Sequence, residues 1–216
     1  MATTNGGNAH PLIAQFRAAR LIPVIRTSTA ARAATAVAWL QDAGLSIFEI
    51  TMTVPDAPAL IRGLASDPRL LVGAGTVPDA AGAYACLDAG ARFLVSPWVE
   101  PTIVEPAHEA GACAMLGALT PTEVRAALAA GADVVKIFPA ASVGGPQHVK
   151  ALRSVFPEVI FCPTGGVDAR NLPDYLDAGA AFVGIGGKLV DEKLIAAGDR
   201  GAVIAAAHAA MGTATA

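Results

Sequence analysis

The stretch TEVRAALAAGADVVKIF, residues 122–138, decides the fold. Its first half is mostly alanine, leucine, glutamate and arginine, good helix formers. Gly131 then follows two alanines. Glycine just past a helix end adopts the left-handed conformation that closes the helix at little steric cost. The run that follows, Val134-Val135-Lys136-Ile137-Phe138, is short, β-branched and apolar on both faces, as a strand buried between a core and covering helices should be. A helix, a glycine stop and a buried strand make the repeating unit of a parallel α/β fold.

The same unit recurs outward from this stretch. An alanine-rich segment ends in Asp42-Ala43-Gly44, Asp88-Ala89-Gly90, Glu109-Ala110-Gly111, Ala129-Ala130-Gly131 and Asp177-Ala178-Gly179. The glycines are spaced by one or two units of roughly 20 to 24 residues each. Where two triplets are missing from the series, Asp67-Pro68 and Phe156-Pro157 stop the helix with proline. The β-like runs are 21–26, 46–51, 70–74, 93–96, 112–116, 133–138, 159–162 and 182–185. Eight strands alternating with helices predict a single (β/α)8 TIM barrel. The alternative, an open doubly wound sheet, lacks its GxGxxG fingerprint after the first strand. Helices are expected over 29–39 and 122–130, each opened by a capping hydroxyl, Thr29 and Thr122. An additional N-terminal helix over about 11–19 is expected to close the barrel bottom. Residues 1–216 read as one barrel domain, with 1–9 and 212–216 as loose tails.

Composition narrows the function classes. The 216 residues are 54% hydrophobic and only 15% charged, which suits one large core and argues against disorder. With net charge -3 and no basic run, nucleic acid is a poor partner. No apolar run reaches the length of a membrane span, and the polar N-terminus lacks a signal peptide's apolar core. Cys86, Cys113 and Cys162 are odd in number, far apart and without a CxxC pair, which fits core thiols in a reducing cytoplasm. The four histidines, His10, His108, His148 and His208, form no metal-ligand spacing, so no metal and no cofactor is expected. His108 and His148 read as helix-surface residues, and Met115, Trp39, Phe93 and Phe161 as core. Trp98 follows strand four at the mouth.

Chemistry on such a barrel sits at the C-terminal ends of its strands. Of four lysines, only Lys136 lies inside an apolar strand. Burying an ammonium unpaired costs several kcal/mol, and a lysine that gives up its proton there is a nucleophile for a carbonyl. A structural lysine paired with a barrel carboxylate fits the same position. Glu49, in IFEIT on strand two, lies across the barrel from strand six and can serve as general acid/base or as that counter-ion. Arg26 ends strand one, where a guanidinium suits bidentate capture of a carboxylate or a rim salt bridge. Thr76 and Thr164 offer hydroxyls at strand ends. Gly165-Gly166 and Gly186-Gly187 follow strands seven and eight, the place where barrels hold phosphate on loop amides. Lys188 adds a charge there or is a solvated surface residue.

These residues, in this order, resemble the 2-keto-3-deoxy-6-phosphogluconate aldolases and their relatives acting on 2-keto-3-deoxy-6-phosphogalactonate and 4-hydroxy-2-oxoglutarate. The likeness runs from about Leu21 to Val190. It is carried by Phe48-Glu49-Ile50-Thr51, Val72-Gly73-Ala74-Gly75-Thr76-Val77, Val95-Ser96-Pro97, Val135-Lys136-Ile137-Phe138-Pro139, Gly145-Pro146-Gln147, Cys162-Pro163-Thr164-Gly165-Gly166-Val167 and Ile185-Gly186-Gly187. The resemblance implies a class I aldolase that reversibly cleaves 2-keto-3-deoxy-6-phosphogluconate to pyruvate and D-glyceraldehyde 3-phosphate without metal, as a cytoplasmic homotrimer. It implies Lys136 as the Schiff-base lysine and Glu49 as the general acid/base. Thr76, Pro97 and Phe138 fall around the pyruvyl group, and Thr164, Gly165, Gly166, Gly186 and Gly187 on the substrate and phosphate loops. The chain departs from the family at Thr53, where many members carry arginine, at Lys188, where some carry serine, and at Leu116, where proline is frequent. With Thr53 in that position, Arg26 is expected to take over the carboxylate. A phosphosugar epimerase or isomerase on the same barrel, or a non-catalytic trimeric binding module, are the rival readings.

Overall fold

The structure, a computed structural model, describes residues 10–215. The expected N-terminal tail, 1–9, lies outside the described residues, as does Ala216. Eight parallel strands form one sheet in the order β7-β6-β5-β4-β3-β2-β1-β8. They are β1 (Leu21–Ile25), β2 (Ile47–Thr51), β3 (Leu71–Gly75), β4 (Phe93–Val95), β5 (Cys113–Ala118), β6 (Val134–Ile137), β7 (Phe161–Pro163) and β8 (Val183–Ile185). A parallel bridge between Thr164 and Gly184 joins the two ends, closing the sheet into a barrel. All eight strand expectations agree with these bounds to within two residues.

Among the described residues ten α-helices alternate with or flank the strands: α1 (Leu12–Ala19), α2 (Ala30–Asp42), α3 (Ala57–Ala65), α4 (Ala80–Asp88), α5 (Val104–Glu109), α6 (Pro121–Ala129), α7 (Pro146–Val155), α8 (Leu172–Asp177), α9 (Glu192–Ala196) and α10 (Arg200–Thr215). All five triplet glycines, 44, 90, 111, 131 and 179, have φ between +66° and +103°, the helix-closing conformation expected of them. The helices α3 and α7 end before Pro68 and Pro157, whose rings cannot continue an α-helix.

Strand parity sorts the core into two clusters. Phe48, Ile50, Leu94, Val135, Ile137 and their neighbours face outward and pack under the helices. Ile22, Ile47, Phe93, Val95, Cys113, Met115, Val134, Cys162 and Phe182 face inward and pack with α1. Phe16 of α1 is fully buried and sets its ring 5.2 Å from both Phe93 and Phe182, so this helix does plug the barrel's N-terminal end. Lys136 and Glu49 share the inward parity of Val134 and Ile47, which directs both into the barrel above that plug.

Four sequence expectations change. The cap of α6 is Thr120, not Thr122. Thr120 accepts from the Glu123 backbone N–H while the Glu123 carboxylate accepts from the Thr120 N–H, a reciprocal capping box. The expected C-terminal tail from Gly212 is helical to Thr215. Ala214 is buried and its carbonyl accepts from the Arg20 guanidinium at 2.6 Å, so packing carries α10 through Gly212. His148 is half-buried, with Nε2 2.7 Å from the Leu119 carbonyl, and ties α7 to the loop after β5. Trp39 lies half-buried against the outer layer, while Met115, Phe93 and Phe161 are core. Among the described residues no helix is long and apolar enough to cross a membrane.

Candidate active site

The barrel interior carries two buried charges, and they meet. Lys136 Nζ lies 3.2 Å from Glu49 Oε1 and 3.4 Å from Oε2, with each residue only 5% exposed. Desolvating either ion alone costs several kcal/mol, so each is tolerated because the other is there. The two strands sit on opposite sides of the barrel, so the pair spans its interior. An amine beside a carboxylate in a water-poor pocket can exchange a proton with it, and the freed amine can attack a carbonyl.

Glycine makes the pair geometrically possible. On β3, Gly75 has the inward parity, and a Cβ there would collide with the Glu49 carboxylate. On β5, Gly117 pairs with Lys136, and a Cβ there would collide with the backbone of Pro97 and Trp98. The chain after β4 therefore packs over β5 at Gly117, the residue paired with Lys136. The sequence reading gives neither Gly75 nor Gly117 this role. Strand-interior glycines with core parity are the signal for such a close approach.

The remaining expected residues lie one inward step above this pair. Val24 pairs with Glu49, so Arg26, two residues on, reaches the mouth over the carboxylate. Its guanidinium is exposed and donates to Thr76 Oγ1 at 3.1 Å. Thr76 itself has φ +57°, a left-handed backbone uncommon for a β-branched residue. Phe138, two residues beyond Lys136, places its ring centroid 5.8 Å from Nζ. Cys162 pairs with Lys136, and Thr164, two residues further, is buried against Gly184. Pro97 is half-buried at the end of β4. Burial pushes the Cys162 thiol up to about 12 against the pull of the Lys136 ammonium, so the neighbouring thiol stays protonated and does not compete as a nucleophile.

The two glycine pairs differ. Gly165 and Gly166 have φ +93° and +81°, and Cβ atoms there would press on Pro139 and Ala141. The Gly165 carbonyl accepts from Ala141 N–H at 3.0 Å, which turns the exposed Gly166 amide away from Ala141, since a trans peptide carries its C=O and N–H on opposite sides. Asn171 Nδ2 donates to the Gly166 carbonyl at 2.9 Å and fixes the loop from behind, a contribution the sequence reading missed. Gly187 by contrast has open space around it. Lys188 is exposed and lines a cavity of about 190 Å³ with Asp168, Arg170 and α10 residues, set off from the Lys136–Glu49 pair.

The family described as KDPG and KHG aldolase matches residues 12–206. The chain belongs to that family. It is 37% identical to the 2-dehydro-3-deoxy-phosphogluconate aldolase of Pseudomonas aeruginosa over 161 residues, covering 74% of this chain and 73% of that one. It is 36% identical to the 2-dehydro-3-deoxy-6-phosphogalactonate aldolase of Escherichia coli, covering 78% and 83%. Among solved structures it is similar to the KDPG aldolase of Legionella pneumophila captured with pyruvate as a covalent carbinolamine, at TM-score 0.83 and 31% identity over 92% and 97% of the two chains. The KDPG/KHG aldolase reading of the sequence holds: the chain is an aldolase, a carbon–carbon lyase of the class I type with a small-molecule substrate.

Proposed function

We propose that this aldolase reversibly cleaves 2-keto-3-deoxy-6-phosphogluconate to pyruvate and D-glyceraldehyde 3-phosphate, with Lys136 and Glu49 as its catalytic residues. The observation that carries the reading is the buried Nζ–Oε contact of 3.2 Å inside a family barrel. Glu49 takes a proton from the Lys136 ammonium, and the freed amine attacks C2 of the 2-oxo acid. Glu49 returns that proton to the departing hydroxyl of the carbinolamine, and loss of water gives an iminium with Glu49 again ionised. Glu49, directly or through water, then removes the C4-hydroxyl proton, the C3–C4 bond breaks, and its electrons enter the iminium as an enamine. Protonation at C3 and addition of water release pyruvate and restore the lysine. Arg26 and Thr76 hold the carboxylate. Pro97, Phe138 and Thr164 enclose the pyruvyl group, and Gly165, Gly166, Gly186 and Gly187 hold the distal phosphate on backbone amides. The chain works as a single barrel domain, in the cytoplasm and as a homotrimer. Native mass spectrometry checks the last point, with three chain masses expected.

The 36% identity to a phosphogalactonate aldolase favours a second reading, the C4 epimer as substrate. The test is pyruvate release from the two phosphorylated epimers and from 4-hydroxy-2-oxoglutarate, with wild type and Lys136→Ala. Highest kcat/KM on the gluconate-derived epimer, and none in the variant, is the expected result. Preference for the galactonate-derived epimer would replace the substrate, and full turnover by Lys136→Ala would overturn the mechanism.

A further inference from the structure

Arg26 is exposed, and its one side-chain bond among the described residues is to the Thr76 hydroxyl. Its placement therefore depends on the backbone of the short β1–α2 loop. That loop is fastened from an unexpected side. Glu192, the first residue of α9, extends Oε1 to the loop residue Ser28, accepting from both its backbone N–H, at 2.8 Å, and its hydroxyl. The same oxygen accepts from the Arg32 guanidinium at 2.9 Å, and that guanidinium also donates to Ser28 Oγ at 2.7 Å. These bonds, the Ser28 hydroxyl first, hold the Glu192 carboxyl down at about 2, so it is ionised near neutral pH.

The anchor behind Glu192 is firm. Leu189 and Val190 before it and Ile195 after it are buried, and Asp191 caps α9 by accepting from Lys193 N–H and Leu194 N–H. A helix fixed in the outer layer thus grips the loop two residues beyond Arg26. On the far side Thr27 is buried and donates to the Thr29 carbonyl, and Thr51 donates to the Ile25 carbonyl. The loop is held from strand and helix at once, with Arg26 the exposed side chain between.

We infer that Glu192 is a positioning residue for substrate-carboxylate binding, acting through Ser28 on Arg26. The inference rests on the proposed role of Arg26 in the aldolase site. Glu192 has no part in the chemistry, so its loss weakens binding of the 2-oxo acid in ground state and transition state alike, which raises KM and leaves kcat unchanged.

The experiment is a double-mutant cycle on pyruvate C3-proton exchange, followed by NMR in deuterated water, with wild type, Glu192→Gln, Arg26→Gln and the double variant. Glu192→Gln should raise the half-saturating pyruvate concentration roughly tenfold, as loss of charge-assisted bonds of this kind implies, with exchange turnover at saturation unchanged. In the Arg26→Gln background the same change should add less than about twofold, because both substitutions disable one grip. Ser28→Ala, which removes one donor and disturbs packing least, should give a smaller rise of about threefold and serves if Glu192→Gln folds poorly. Equal effects of Glu192→Gln in both backgrounds, or a fall in turnover with no change in half-saturation, would overturn the inference. Exchange by wild type with an additive cycle sinks only the role of Glu192. Absence of exchange in folded wild type sinks it together with the aldolase site.

Discussion

Gly75→Ala should separate chemistry from folding. The added Cβ would lie 2.7 Å from both Cγ and Cδ of Glu49 and closer still to Oε1, whereas ordinary contact begins at 3.4 Å. The backbone of β3 is locked between β2 and β4, so the carboxylate must retreat by about 1 Å. A shift of about 1 Å in a positioned reacting group costs on the order of 100-fold in rate, or about 2.7 kcal/mol of barrier. Overpacking costs about 1–3 kcal/mol of stability, since Glu49 must leave part of its contact with Lys136. Initial rates of pyruvate release give kcat/KM, and urea unfolding gives the stability. Gly63→Ala is the control: a Cβ there meets nothing within 4 Å on α3, and stability should rise by up to about 1 kcal/mol with full activity. Wild-type kcat/KM in folded Gly75→Ala would refute the reasoning, because Glu49 would then not need the space that Gly75 leaves it.

Glu49→Gln keeps the shape and removes the base, so kcat should fall by about 10²–10⁴, and a loss below tenfold in steady-state assays would reduce Glu49 to a counter-ion. Burial pushes the Cys86 thiol up to about 11, whereas an exposed thiol ionises at about 8.5, so the native state keeps a proton that the unfolded chain releases. That contribution to stability is whole below about pH 8.5 and is lost as pH rises towards 11, and Cys86→Ala should flatten the decline in urea midpoint from pH 8 to 10. Thr120→Ala removes one half of the capping box at the start of α6 and should cost about 1 kcal/mol in thermal or urea unfolding, with no change in KM.

The barrel was legible because its signals are local. A glycine after five of the helices, a proline after two others and an apolar run beyond each mark the units, and these signals follow from backbone freedom and burial within one segment. Lys136 and Glu49 stood out for a related reason, each being the charge in an otherwise apolar strand. What escaped is set by register and by long sequence separation. That Gly75 clears space for Glu49 depends on the pairing of β2 with β3, where Glu49 meets Gly73. His148 finds its acceptor 29 residues away. Asn171 acts through the Gly166 carbonyl, and the segment reads locally as a turn before a helix. The shift from Thr122 to Thr120 is a different case. Thr122 falls inside the first turn of the helix, and only Thr120 stands three residues before a glutamate, with Pro121 at the first helical position. At the C-terminus, 212–216 read as a loose tail, and burial of Ala210 and Ala214 on the same face overrode the low helix propensity of Gly212.

The central claim is that Lys136 forms the Schiff base. It is tested most directly by incubating the enzyme with pyruvate and sodium borohydride, then mapping the reduced adduct by peptide mass spectrometry. The account predicts one pyruvyl adduct per chain, on Lys136, absent from Lys136→Ala. An unmodified Lys136 in folded enzyme, or an adduct on Lys150, Lys188 or Lys193 instead, would contradict it.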